Sequence, residues 1–296
     1  MISPALLRAL GAYILWGVFP LYFILVADVA PFEVLAHRVV WAMVLLLAVM
    51  AAMGKLAELW AVLCQRQEML WLSIAAVMLS INWGTYIYAI SSSQTLEASL
   101  GYFINPLVNI VLAMLFLSER VNRMQALAIG LAAVGIVIQL VFIGTLPLIS
   151  LSLAFSWGIY GLIKKKISSP ALTSLTAETV VMLPLALVYL WYLYQRGDLS
   201  FLLQPQYDYI LPLSGLVTAL PLFLFGAAAK QLTFISLSFL QYITPTMVFL
   251  IAVLYFGEAL TVEKMATFSL IWLSLAIFTY DGIRGYRRSR RVITAD

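Results

Sequence analysis

Ten apolar stretches alternate with short polar connections along the chain, at residues 4–26, 33–53, 69–90, 96–117, 124–143, 146–163, 174–194, 207–229, 233–256 and 264–283. A helix rising 1.5 Å per residue needs about 20 apolar positions to cross ~30 Å of hydrocarbon, so each stretch predicts a membrane-spanning helix. In the connection after the second stretch, Leu56, Leu59, Trp60 and Leu63 recur at helical spacing beside Lys55, Glu58 and Arg66. That pattern predicts a short helix lying in the headgroup plane.

Composition sharpens this picture. Of 296 residues, 64% are hydrophobic and 10% charged, against about 25% charged in an ordinary soluble domain. Mean hydropathy is +1.03, which excludes a water-soluble globule, and no polar stretch is long enough for a soluble catalytic domain. The first stretch is too long for the apolar part of a cleaved signal and reads as a permanent span. Cys64 is the single cysteine and His37 the single histidine. An intramolecular disulfide, a multi-thiolate metal or iron–sulfur site and a paired-histidine zinc motif are therefore ruled out, and no metal or cofactor is expected. The expected fold is an all-α polytopic membrane protein of ten transmembrane helices.

Charge orients it. With the N-terminus cytoplasmic, 14 of the 17 basic residues fall on inner connections, including Lys55, Lys164, Lys165, Lys166, Lys230 and the tail from Arg284 to Arg291. Arg196 and Lys264 lie outside and Arg38 within a span. This segregation supports ten helices with both termini cytoplasmic. The basic tail suits anionic lipid. Nucleic acid is not an expected partner, because no folded module or aromatic platform accompanies the tail.

An internal repeat is also visible. Pro31 and Pro170, Pro106 and Pro245, and Glu119 and Glu258 are each separated by 139 residues. In the same register Ser99 matches Ser238, Ile104 matches Ile243, Ala113 matches Ala252 and Leu115 matches Leu254. A two-residue adjustment aligns Trp16-Gly17 with Trp157-Gly158. The chain reads as a five-helix repeat over residues 1–145 and a second over 146–296 that carries the basic tail. An odd number of spans forces the second copy to enter from the opposite side, so the repeats are inverted, the architecture that alternating access uses around a site near the midplane.

Candidate chemistry lies within the spans. Arg38 and His37 sit about six residues into the second, near 9 Å deep. A charge there faces a wet cavity or a partner, unless it snorkels or braces carbonyls. His37 reads as a polar cavity wall or as a neutral core histidine. Glu178 lies at comparable depth in the seventh span, entered from the other side. The two charges would then differ by roughly 10 Å along the membrane normal, which favours two ends of one cavity over a direct ion pair. Arg38 would hold a substrate carboxylate and Glu178 would exchange protons. The alternative is a structural carboxylate bonded to Thr176 or a neighbouring helix. Asn82, Tyr86, Tyr102, Asn105, Trp157, Tyr160, Gln241 and Tyr242 would supply polar and aromatic walls for organic solutes, or else helix packing. Pro106 and Pro245 predict matched bends that serve as gates or cavity walls. Glu119 and Glu258 precede the next helices and read as caps. Gly130 and Gly135 read as packing positions.

The chain resembles the RarD-type branch of the EamA family in the drug/metabolite transporter superfamily. The residues that carry the resemblance are Trp16-Gly17 with Pro20, Ala36-His37-Arg38, Asn82-Trp83-Gly84, Leu100 to Pro106, Leu117-Ser118-Glu119, Thr176 to Thr179 and Gln241 to Pro245. It implies an inner-membrane carrier with a central cavity between two five-helix halves, moving small metabolites, amino acids or drugs, with export the expected direction. Two rivals remain at this point: an intramembrane enzyme built on His37, which lacks an aspartyl dyad within the spans, and a non-transporting membrane scaffold.

Overall fold

The computed structural model describes residues 3–92, 94–143, 147–257 and 262–293. Thirteen helices follow one another among them: α1 Pro4–Gly17, α2 Phe19–Leu25, α3 Pro31–Ala52, α4 Leu56–Cys64, α5 Arg66–Ser91, α6 Thr95–Phe116, α7 Arg123–Ile143, α8 Leu148–Lys166, α9 Ala171–Arg196, α10 Tyr207–Ala229, α11 Phe234–Gln241, α12 Ile243–Leu254 and α13 Val262–Ile293. No strand occurs among the described residues. Large apolar side chains such as Leu185, Trp191 and Leu254 stay exposed on the outer wall, as lipid contact requires.

Nine helices among the described residues are long and apolar enough to cross a membrane, with α1–α2 and α11–α12 each counting as one broken span. The remaining expected span corresponds to α8, whose last turn holds Lys164, Lys165 and Lys166. The short helix expected in the headgroup plane is α4, with Leu59 buried and Trp60 exposed.

The first span breaks at Val18, just before Pro20, whose ring cannot accommodate the carbonyl four residues earlier. The α11–α12 span breaks at Tyr242, three residues before Pro245. The matching bend expected at Pro106 is absent as a break, because α6 continues through it. There α6 is clamped along α8 and α7, whose packing holds the helix together where a ladder bond is missing.

The packing has an exchange pattern. If α1, α3, α5, α6 and α7 are swapped with α8, α9, α10, α11–α12 and α13, the main neighbours are recovered. Thus α6 lies along α8 as α12 lies along α1, and α5 along α8 as α10 along α1, while α3–α9 and α7–α13 are their own counterparts. Between α3 and α10 the backbones come close: a Cβ on Gly215 would stand 2.4 Å from the Trp41 carbonyl carbon.

Candidate functional site

Arg38 stands two turns into α3, half-buried. Its Nε donates to Thr218 Oγ1 on α10 at 2.9 Å. Its guanidinium carbon lies 4.4 Å from the centre of the Trp83 ring on α5, and 6.0 and 5.9 Å from those of Phe19 and Phe23 around the α2 break. Tyr22, Tyr86 and Tyr102 are near enough to act on its charge, and the Tyr86 and Tyr102 rings meet edge to face at 6.1 Å. Among the described residues no carboxylate forms an ion pair with Arg38. A planar cation framed by aromatic faces, with donors to spare, is suited to a carboxylate or another planar anion.

Thr218 and Trp83 also line a narrow cavity with room for about one water molecule. Val39, Leu79, Met182 and Leu222 supply apolar walls, and Glu178 and Thr179 of α9 complete the lining. The two residues that hold Arg38 and the carboxylate of Glu178 therefore border one space.

Of the two structural partners expected for Glu178, it bonds the neighbouring helix, α8, and not Thr176, whose hydroxyl donates to the Leu172 carbonyl. Its Oε1 lies 2.8 Å from Lys164 Nζ, and its Oε2 accepts from the Tyr160 hydroxyl at 3.3 Å. Lys164 also donates to Ser174 Oγ at 2.7 Å. All four residues are fully buried. Lys164 is thus no inner-connection lysine, as its charge alone suggested: the last turn of α8 directs it between α9 and α10. The absent side chain of Gly226 makes room for its stem, since a Cβ there would come within 3.2 Å of Lys164 Cε. Removing one partner from such a pair costs about 3–5 kcal/mol.

The other candidates fall into separate groups. Trp157 and Tyr160 join Trp16, Tyr13 and Phe225 in an aromatic cluster beside Glu178, with Trp16 and Trp157 centred 5.1 Å apart. Asn82 braces α5 to α8 through the Leu153 carbonyl at 2.9 Å and Ser156 Oγ at 3.1 Å. Gln241 accepts from Asn109 Nδ2 at 2.9 Å, and Asn105 is buried nearby in α6. Tyr242, fully buried at the α11–α12 break, donates to the Phe103 carbonyl. His37 does not line the cavity. It packs on Phe201, 5.0 Å between ring centres, with Nε2 3.8 Å from Glu33. Glu33 in turn accepts from the Ser200 amide at 2.7 Å and the Phe201 amide at 3.2 Å, a polar tie at the far end of the bundle.

Glu119 caps, but not the helix that follows it. Its carboxylate accepts from the amides of Phe234 and Ile235 at 2.7 and 2.9 Å, at the start of α11. Glu258 lies outside the described residues, as do the side chains of the basic tail from residue 285 on.

Residues 3–141 match the EamA-like transporter family. Protein RarD of Escherichia coli K12 is 43% identical over 96% of this chain and 97% of its own. The chain belongs to the EamA family, in its RarD-type branch. An uncharacterized transporter of Vibrio cholerae is 42% identical over 98% of this chain and 96% of its own. The chloramphenicol-sensitive protein RarD of Pseudomonas aeruginosa is 31% identical over 98% of each. One solved crystal structure superposes with a TM-score of 0.72 at 18% identity, covering 93% of this chain and 97% of that one, a likeness of fold. This RarD-type protein is accordingly a multi-pass membrane transporter.

Proposed function

We propose that the protein moves small organic solutes carrying an anionic group across the inner membrane by alternating access, in the outward direction, with both termini cytoplasmic. Residues 1–145 and 146–296 act as inverted halves, α8 serving as the sixth span. Arg38 anchors the anionic group, while Trp83, Tyr86, Tyr102 and the rings around the α2 break receive the apolar body. Glu178 carries the coupled proton. Amino acids, other carboxylated metabolites and drugs are the candidate cargo.

The observation that carries this reading is Arg38 itself, a half-buried guanidinium with no carboxylate partner among the described residues, held by Thr218 and Trp83, which line one cavity with Glu178. The test is flux into proteoliposomes from a panel of labelled amino acids, aromatic acids and chloramphenicol, after a thermal-shift screen of the same compounds. Saturable flux that Arg38→Ala abolishes in a folded protein is the expected result. Flux untouched by Arg38→Ala removes Arg38 from the site.

A further inference from the structure

The carrier reading, on which this inference rests, leaves Lys164 without a task. A fully buried ammonium persists only beside a counter-charge, and among the described residues only Glu178 pairs with it. Its other polar neighbour, Ser174, is neutral, and the Tyr160 hydroxyl faces the second carboxylate oxygen. From the remaining helices against α9, the lining beside Glu178 is not titratable: Val39 and Ala42 of α3, Leu79 and Trp83 of α5, Thr218, Ala219 and Leu222 of α10. Arg38 stands beyond Thr218, and Glu58 of α4 is engaged by Thr173 near the start of α9.

Two more cations gather at this end of the bundle. Lys165 ties the end of α8 to the α10–α11 connection through the carbonyls of Ala229 and Leu232, at 3.3 and 2.5 Å, and stands 4.0 Å from Glu119. Lys230 reaches back to the carbonyls of Ile167, Ser168 and Ser169 in the α8–α9 connection. Burial and the positive charge of Lys164 push Lys230 below the ordinary lysine range, with Glu68 opposing them. The joint is therefore closed by two lysines that repel an unpaired Lys164, each itself beside a carboxylate, Glu119 for Lys165 and Glu68 for Lys230. Its counterpart at the other end is looser: α8 leans on α10, whereas α1 and α5 barely meet. Glu178 is among the residues that line the cavity, and Lys164 is not.

We propose that the Lys164–Glu178 pair is a proton-released latch. It holds shut the end of the bundle that carries Lys165 and Lys230. A proton from the surrounding water, arriving on a Glu178 carboxyl oxygen through the cavity, leaves Lys164 as a buried cation without a counter-ion, and relief of that state drives the joint apart.

The test needs no solute. Cys64→Ser removes the native thiol, and Leu175→Cys places a reporter one turn from Glu178 on the Lys165 side, where Leu175 is buried. A membrane-impermeant maleimide is applied to sealed vesicles of both orientations, with rates normalised to the same thiol in denatured protein. Folding of each variant is checked by its thermal melt. In the parent, normalised labelling from the Lys165 face rises as pH falls. With Glu178→Gln it runs about tenfold faster at neutral pH and loses its pH dependence, as removal of the Lys164 counter-charge requires. With Lys164→Gln added it returns to the slow parental rate, because no unpaired charge remains. A slow Glu178→Gln protein overturns the latch, and so does a double variant as open as the single one. Because no cargo is present, either outcome stands independently of whether the solute panel is transported.

Discussion

Tyr242 donates its phenolic proton to the main-chain oxygen of Phe103 at 3.4 Å, and the two residues stand 139 positions apart, the spacing of the sequence matches. Equivalent positions touch one another only near the axis that exchanges the halves of a two-fold arrangement. In the proposed two-fold exchange of halves, this contact puts the axis between α6 and the α11–α12 break, the surface where Asn109 also meets Gln241. The hydroxyl forms one neutral bond, while the ring fills a fully buried site. Tyr242→Phe therefore costs about 1 kcal/mol, and Tyr242→Ala about 3–5 kcal/mol. Thermal unfolding in detergent separates the two. A Phe variant as unstable as the Ala variant assigns the site to the hydrogen bond instead of the packing.

Arg38 is held by its Nε and by the flat face of its guanidinium, two features that lysine lacks. Arg38→Lys keeps the charge but loses both the Thr218 bond and the planar stack on Trp83. Flux of whichever solute the panel identifies falls nearly as far in Arg38→Lys as in Arg38→Ala. Trp83→Ala removes a cation–π contact of about 0.5–2 kcal/mol and weakens solute binding by up to about thirtyfold. Full flux in Arg38→Lys would mean that charge alone suffices.

The apolar runs predict the bundle because lipid leaves the backbone no alternative to helices, so length and hydropathy suffice to find them. Arg38 and Glu178 stand out for the same reason: each is a charge where water is scarce. Lys164 does not stand out. As one of three consecutive lysines at a helix end it reads as a headgroup cation, and only the continuation of the Trp157, Tyr160, Gly161 stripe at helical spacing marks it as inward-facing. The target of Glu119 is equally invisible along the chain, since its partners at Phe234 and Ile235 are 115 and 116 residues away. Proline alone is a poor guide to breaks: Pro106, Pro184, Pro212 and Pro221 all sit inside continuous helices.

Gly215 is where α3 and α10 come together. An added Cβ would lie 2.4 and 2.5 Å from the carbonyl carbon and oxygen of Trp41 and 2.8 Å from the Ala42 amide nitrogen, all of them backbone atoms unable to rotate aside. Gly215→Ala must push the helices apart, and with them Thr218, which lies one turn along α10 and holds Arg38. Overpacking of this kind costs about 1–3 kcal/mol. The expected result is a lowered melting temperature together with reduced flux. Unchanged stability and flux would mean that the two helices slide freely. Gly11, where a Cβ would meet only the flexible end of Leu224 at 3.4 Å, is the matched control and tolerates alanine.

Glu119 ties the end of α6 to the start of α11. Ser118 adopts a left-handed backbone, φ 54°, and turns the chain immediately before Glu119. The carboxylate then covers two free amides at a helix start, where negative charge is favoured. Glu119→Gln keeps one of the two acceptor oxygens and discards the charge, which by itself is worth about 0.3–1 kcal/mol. Glu119→Ala discards both and costs about 0.5–2 kcal/mol. The loss is local, so hydrogen exchange at Phe234 and Ile235 accelerates in that order while exchange in the α3–α9 contact stays as it was. Acceleration spread evenly over the bundle would show instead that Glu119 supports the fold as a whole. Lys165, 4.0 Å from the same carboxylate, adds a second readout: high salt narrows the gap between parent and Glu119→Gln, because screening weakens both the dipole and the ion-pair contributions.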